Sequence, residues 1–270
     1  MTTIAITNQK GGVGKTTTTV NLAASLAANA QRVLLVDLDP QGNATMGCGV
    51  DKHALENSVY DVLMHDTPVE EVRQAAPESG FDVVPANAEL TAAEVELVTA
   101  SVRENRLRHA LARVKHDYDY VLIDCPPSLN MLTVNALVAA DSVLIPVQCE
   151  YYALEGLSSL LNTVARVQKT LNPLLRIEGL LRTMYDARNS LTNEVSMQLI
   201  GHFGSRVYST LIPRNVRLAE APSHGKPALL YDAASRGAIA YLAAASEMLR
   251  RHGKHAQGAT GTLNSAPASD

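Results

Sequence analysis

Asn8-Gln9-Lys10-Gly11-Gly12-Val13-Gly14-Lys15-Thr16-Thr17 follows directly on a short β-branched run, residues 3–7, and opens a stretch of helical period, residues 15–29. A buried strand, a glycine-rich turn and a helix N-terminus in that order form a phosphate cradle, because the free N–H groups and positive dipole end of the helix attract an anion. Gly11, Gly12 and Gly14 let the backbone close on a phosphate with no Cβ in the way. Lys15 supplies fixed positive charge for β- and γ-phosphate oxygens, and the Thr16 hydroxyl is placed for Mg²⁺. The pattern departs from G-x-x-x-x-G-K-[ST] at one position, where Gln9 stands in place of the first glycine. A second lysine, Lys10, opens the loop instead.

Two further stretches make sense beside this loop. Leu34-Leu35-Val36-Asp37-Leu38-Asp39-Pro40-Gln41 ends a β-branched run in two carboxylates, and Tyr120-Val121-Leu122-Ile123-Asp124-Cys125-Pro126-Pro127 ends another in one. An acid at the tip of a buried strand next to a phosphate loop holds Mg²⁺ or its water shell. Alone, such an aspartate is as readily a helix cap. Here three converge on one loop, and Thr16, Asp39 and Asp124 form the expected metal set.

The rest of the chain repeats the same alternation. Strands are expected at residues 3–7, 33–37, 82–84, 120–124, 142–147, 177–184 and 207–212. Helices are expected at 15–29, 91–101, 103–115, 129–139, 154–171, 192–203 and 235–250. Right-handed crossovers between such strands predict an α/β fold: one doubly wound, mostly parallel sheet with helices on both faces, of P-loop NTPase type, its ligand site at the C-terminal strand ends. Residues 1–251 form this single domain; residues 252–270, rich in Gly, Ala, Ser, Thr and Pro without apolar period, are expected to be a disordered tail.

Composition sets the outer bounds. With 270 residues, 46% apolar and 19% charged, the chain can bury a full core. No apolar run approaches the roughly 20 residues that span a bilayer, and the N-terminus lacks the layout of a signal peptide, so a cytoplasmic location is expected. Cys48, Cys125 and Cys149 show no ligand or disulfide spacing and are expected to be reduced core thiols. A net charge of −4 and a pI near 6.1 argue against a uniformly basic nucleic-acid binder, whose pI is usually above about 9. Residues 176–254 nevertheless hold eleven Lys and Arg against six Asp and Glu, a net +5 that leaves −9 for the remainder. Any polyanion-binding face must come from that C-terminal third.

Lys10-Gly-Gly-Val-Gly-Lys-Thr-Thr17, Asp37-Leu-Asp-Pro-Gln-Gly-Asn43, Asp124-Cys-Pro-Pro-Ser128, Pro146-Val-Gln-Cys-Glu-Tyr-Tyr-Ala-Leu-Glu-Gly156 and Ile212-Pro-Arg-Asn-Val-Arg-Leu-Ala-Glu-Ala-Pro-Ser-His-Gly-Lys-Pro227 together resemble the ParA/Soj chromosome-partitioning ATPases, the deviant Walker A class of the MinD/ParA superfamily. The resemblance covers essentially residues 2–250. It implies an ATP-dependent homodimer in which two protomers sandwich Mg²⁺-ATP and Lys10 of each reaches the other's phosphates. It implies slow hydrolysis to ADP and phosphate, stimulated by a ParB-type centromere-binding partner, in a nucleoid-associated protein. By the same resemblance Asp39 positions the attacking water, Asp124 is the Walker-B acid and Asp37 supports the loop. The implied catalytic set is thus Lys10, Lys15, Asp39 and Asp124. The nucleotide set runs from Lys10 through Gly11, Gly12, Val13, Gly14, Lys15, Thr16 and Thr17, with Pro213 and Asn215 against the adenine. Non-specific double-stranded DNA is expected at Arg188 and Arg217, with Arg206, Lys226, Arg250 and Arg251 as lesser candidates.

Relatives with other tasks fit less well. A loop beginning at residue 9 leaves no room for an N-terminal helix-turn-helix that would read an operator. The alternative is a membrane-associated, MinD-like positioning ATPase, but the tail lacks a Lys-rich amphipathic helix. Cys125 and Cys149 are not spaced to hold an iron–sulfur cluster, as in nitrogenase iron proteins. A metabolic kinase would need an acceptor pocket that the sequence does not reveal.

Overall fold

The computed structural model describes residues 1–253. Its strands are β1 (Thr2–Ile6), β2 (Val33–Asp37), β3 (Gln74–Ala75), β4 (Asp82–Val84), β5 (Tyr120–Asp124), β6 (Ser142–Gln148), β7 (Arg176–Tyr185) and β8 (Val207–Pro213). They form one sheet in the order β3-β4-β2-β5-β1-β6-β7-β8. All neighbours pair in parallel except β3, which runs antiparallel to β4 at one edge. This two-residue strand has no sequence signature, since it is too short to show alternation.

Side-chain alternation along the central strands sorts the core into two layers. Ile4, Ile6, Val33, Leu35, Tyr120 and Leu122 pack with α1 (Lys15–Ala28) and the C-terminal helix on one face. Ala5, Leu34, Val36, Val121 and Ile123 pack on the other face. That second layer is closed by α3 (Val59–Met64), α4 (Val69–Val72), α5 (Leu90–Thr99), α6 (Arg106–Arg113), α7 (Met131–Ala139), α8 (Ala153–Thr170) and α9 (Ser190–Phe203). The first is completed by α2 (Asn43–Gly47), α10 (Val216–Glu220), α11 (Ala228–Tyr231) and α12 (Arg236–Arg251). Burial on both faces is why these strands read as continuous apolar runs. The sheet is the expected doubly wound one; α2, α3, α4, α10 and α11 were not foreseen, because four to six residues cannot display a 3.6-residue period. Among the described residues no helix is long and apolar enough to cross a membrane. Cys48, Cys125 and Cys149 are all buried and free.

The composition puts His252 at the start of the tail, but it is docked. Its Nδ1 lies 2.9 Å from the Tyr120 hydroxyl and its Nε2 3.0 Å from Glu178 Oε2. Glu178 also accepts from Tyr208 Oη at 2.9 Å and Ser142 Oγ at 3.1 Å. The expected disordered tail beyond residue 253 lies outside the described residues. Burial alone would raise the Glu178 carboxyl, yet hydrogen bonds from His252, Tyr208 and Ser142 outweigh it and hold the group below its ordinary value. A carboxyl lowered in the folded state contributes stability above its unfolded pKa, and this is lost as pH falls through the folded one. His252→Ala is therefore expected to cost about 1–2 kcal/mol at neutral pH and to move acid unfolding to higher pH. Urea melts across pH check this, and a midpoint equal to the parent's at both ends would refute it.

Candidate nucleotide site

Register decides the site's geometry. Parallel pairing sets Ile6 beside Asp124 and Asp37 beside Asp124, so the tips of β1, β2 and β5 stand level. The glycine-rich loop leaves β1 directly above them. Asn8 fixes its entry: Nδ2 donates to the Pro146 carbonyl at 2.8 Å and Oδ1 accepts the Lys10 N–H at 3.0 Å. At the exit, Gly14 is the N-cap of α1 with φ 87°, a left-handed conformation that favours glycine. No side chain caps α1 and no acid stands in its first turn, which leaves the helix N-terminus to an anion. Thr183 Oγ1 from β7 braces the loop by donating to the Val13 carbonyl at 2.8 Å.

After Lys15, helix α1 continues with four threonines, poor helix formers, and three of their hydroxyls are engaged across the fold. Thr16 Oγ1 donates to Asp124 Oδ2 at 2.7 Å and Thr19 Oγ1 to Asp124 Oδ1 at 2.9 Å. Thr18 Oγ1 lies 3.0 Å from Tyr241 Oη. Asp37 is held by the Thr45 N–H and hydroxyl, both at 2.8 Å, and by the Asp39 N–H at 3.1 Å. Thr45 Oγ1 in turn accepts the Ala86 N–H at 2.9 Å. Thr19 and Thr45 were missed in the sequence, where a threonine on a helix carries no mark of its partner.

Asp37 and Asp124 are fully buried, and burial raises both carboxyls well above the ordinary aspartate value, with the Asp37 charge adding to the rise at Asp124. Lys15, 7% exposed, is pulled down by burial, opposed by Asp124, Cys125 and Asp39. Its ammonium donates to the Lys10 carbonyl at 3.3 Å. Buried acids whose ionisation is this disfavoured suit a site completed by a divalent cation. The donors fit Mg²⁺: Thr16 gives its proton to Asp124 and keeps its lone pairs for a metal. Both Asp124 oxygens are taken by threonines, which makes it a partner of the ligand shell through Thr16. Half-buried Asp39 uses Oδ1 to accept the Gln41 N–H at 2.9 Å.

Beside the loop, a pocket of about 170 Å³ is lined by Thr17, Met184, Pro213, Asn215, Leu218 and Tyr241, among others. Pro213 and Asn215, expected against the adenine, both belong to this lining. Asn215 is also a helix cap, its Oδ1 accepting the Arg217 N–H at 3.0 Å, so in this conformation its amide is left to donate. Lys10 does not extend from the surface: its ammonium pairs with Glu150 of the same chain.

The six expected DNA contacts do not form one patch. Arg188 and Arg217 follow the C-terminal ends of β7 and β8, near the nucleotide loop; Arg206 precedes β8, and Arg250 and Arg251 end α12. The seven-residue β8 separates the two groups by about 23 Å. Arg188 is bidentate to Asp186, at 2.9 and 2.8 Å, and pulls that carboxyl down to about 2. Arg217 pairs with Glu220 at 2.7 Å and Asp232 at 3.2 Å, and Lys226 with Glu78 at 3.1 Å. Arg251 is committed within the fold, to Glu247 at 2.7 Å and over the Tyr208 ring at 4.0 Å. Arg214 and Arg236, which the sequence did not single out, join Arg188 around a polar cleft of about 350 Å³. That cleft shares Pro213 and Arg214 with the pocket beside the loop. A larger depression of about 600 Å³, lined by Arg182, Tyr208, Glu247 and Arg250, lies towards the other end of the sheet.

Residues 1–177 match a family model described as an AAA domain. The chain is 60% identical over 245 residues to the sporulation initiation inhibitor protein Soj of Bacillus subtilis, covering 91% of this chain and 97% of that one. It is 52% identical over 250 residues to the chromosome partitioning protein ParA of Caulobacter vibrioides, covering 92% and 94%. Among solved structures, a Mycobacterium smegmatis protein named cobyrinic acid a,c-diamide synthase, with bound ATP analogue and magnesium, superposes with a TM-score of 0.82 at 38% identity, covering 94% of this chain and 96% of that one. The MinD cell division ATPase of Pyrococcus furiosus gives 0.76 at 25% identity, covering 93% and 99%.

Proposed function

The chain belongs to the ParA/Soj family of chromosome-partitioning ATPases, and on that premise we propose that it is an ATP-driven dimerising switch that holds non-specific DNA until a ParB-type partner triggers hydrolysis. The observation that carries this reading is the site itself: a phosphate loop with two lysines over three strand-end carboxylates, next to an arginine-lined cleft.

Lys15 and the N-terminus of α1 hold the phosphates, and Thr16, backed by Asp124, holds Mg²⁺, which neutralises phosphate charge. Pro213 and Asn215 receive the adenine. Asp39 aligns the attacking water from the β2 tip. Lys10 completes the partner protomer's site, so ATP joins the two and hydrolysis releases them. The protein then works in the cytoplasm on the nucleoid.

The arginines at the nucleotide end, Arg188, Arg214, Arg217 and Arg236, are the DNA face of this reading. One protomer presents few cations, and pairing doubles the row. Each phosphate contact adds a salt slope of about −0.9. Arbitrary duplex is therefore expected to bind with ATP and not with ADP or without nucleotide. Arg188→Glu, which removes two contacts per dimer, should lower affinity for all sequences at least about tenfold and flatten the salt slope by about 2. Arg206→Glu, at the opposite end, should change little. Gel shifts over a salt series test this; tight binding in ADP, or parental affinity in Arg188→Glu, overturns the switch or its face respectively.

A further inference from the structure

Three contacts moor the start of the phosphate loop to β6, to α8 and to the segment that joins them. Lys10 pairs with Glu150, Asn8 Nδ2 donates to the Pro146 carbonyl at 2.8 Å, and Ser159 Oγ donates to Gln9 Oε1 at 3.1 Å. The lysine is thus turned along its own protomer. Glu150 leads into Tyr151 and Tyr152, 76% and 64% exposed, an aromatic surface of the kind a second copy covers. We propose that Glu150 is a positioning residue that holds Lys10 in cis and thereby sets how tightly nucleotide-bound protomers pair. This rests on the reading of Lys10 as the residue that acts across the dimer.

Pairing then requires an exchange in which Lys10 leaves a carboxylate of its own chain for phosphates of the partner. The side chains of Lys10 and Glu150 are 38% and 35% exposed, so water screens the pair and the exchange is reversible. A triphosphate offers more negative charge than a single carboxylate and displaces it more readily than a diphosphate does. The same carboxylate that slows pairing in ATP therefore suppresses it in ADP. Two such pairs open per dimer, so their effect is squared in the dimer constant.

Sedimentation equilibrium at saturating nucleotide, where monomer affinity no longer matters, tests this on the full chain. A screened pair is worth about a threefold factor. Glu150→Gln is thus expected to tighten the ATP dimer about tenfold and to make an ADP dimer measurable, whereas damage to the fold would weaken both. Glu150→Asp, which keeps the charge, should stay near the parent. In a Lys10→Ala background, Glu150→Gln should give no tightening. Parental or weaker pairing in Glu150→Gln, or equal tightening without Lys10, overturns the proposal. A normal ATP dimer in Lys10→Ala alone instead overturns the reading of Lys10 beneath it.

Discussion

Lys15→Ala is expected to bind Mg²⁺-ATP at least about thirtyfold more weakly than the parent, since removing one partner of a buried charge pair costs about 2–5 kcal/mol. Lys15 is 7% exposed and donates at 3.3 Å to the Lys10 carbonyl, although an ammonium has three protons to place. Burial already disfavours its charge, with Asp124, Cys125 and Asp39 pulling the other way. A phosphate offers that ammonium further acceptors and a countercharge. In the alanine variant the β- and γ-oxygens keep the α1 N-terminus but lose their fixed cation. Titration calorimetry with ATP and Mg²⁺ reads the loss directly; parental affinity would remove the phosphate-loop assignment and everything built on it.

Turnover in Asp39→Ala should fall by about 10²- to 10⁴-fold, the range that a positioned general base contributes, while ATP binding and pairing persist. The carboxylate is half-buried at the β2 tip, with Oδ1 accepting the Gln41 N–H at 2.9 Å and its own N–H given to Asp37 Oδ1 at 3.1 Å. Alanine therefore also removes a turn-forming contact. Asp39→Asn separates the two effects, because the amide oxygen keeps the Gln41 bond and lacks the basicity. Both variants should accumulate as ATP dimers retained on DNA. Phosphate release at the parental rate in Asp39→Asn would move the role elsewhere, and Asp124 is a poor substitute because Thr16 and Thr19 occupy both of its oxygens.

Much of this site is written locally. A glycine's freedom at Gly14, a lysine after it and an acid at the end of each buried run are properties of a few adjacent residues, and β2, β4 and β5 fall at the residues where their β-branched runs lie. The same locality made the family legible from motifs. What needed the tertiary structure was every pairing between distant residues. Thr19 and Thr45 gained meaning only when register set Asp37 and Asp124 side by side, and Lys10 met Glu150 only when β6 came to lie against β1. The arginines of the C-terminal third, alike as charges in the sequence, were divided by strand direction into a group at the nucleotide end and one at the far end. Periodicity and turn chemistry act over a few residues and so are visible along the chain; contact across a sheet depends on which strands neighbour one another, and that is settled by packing the whole core.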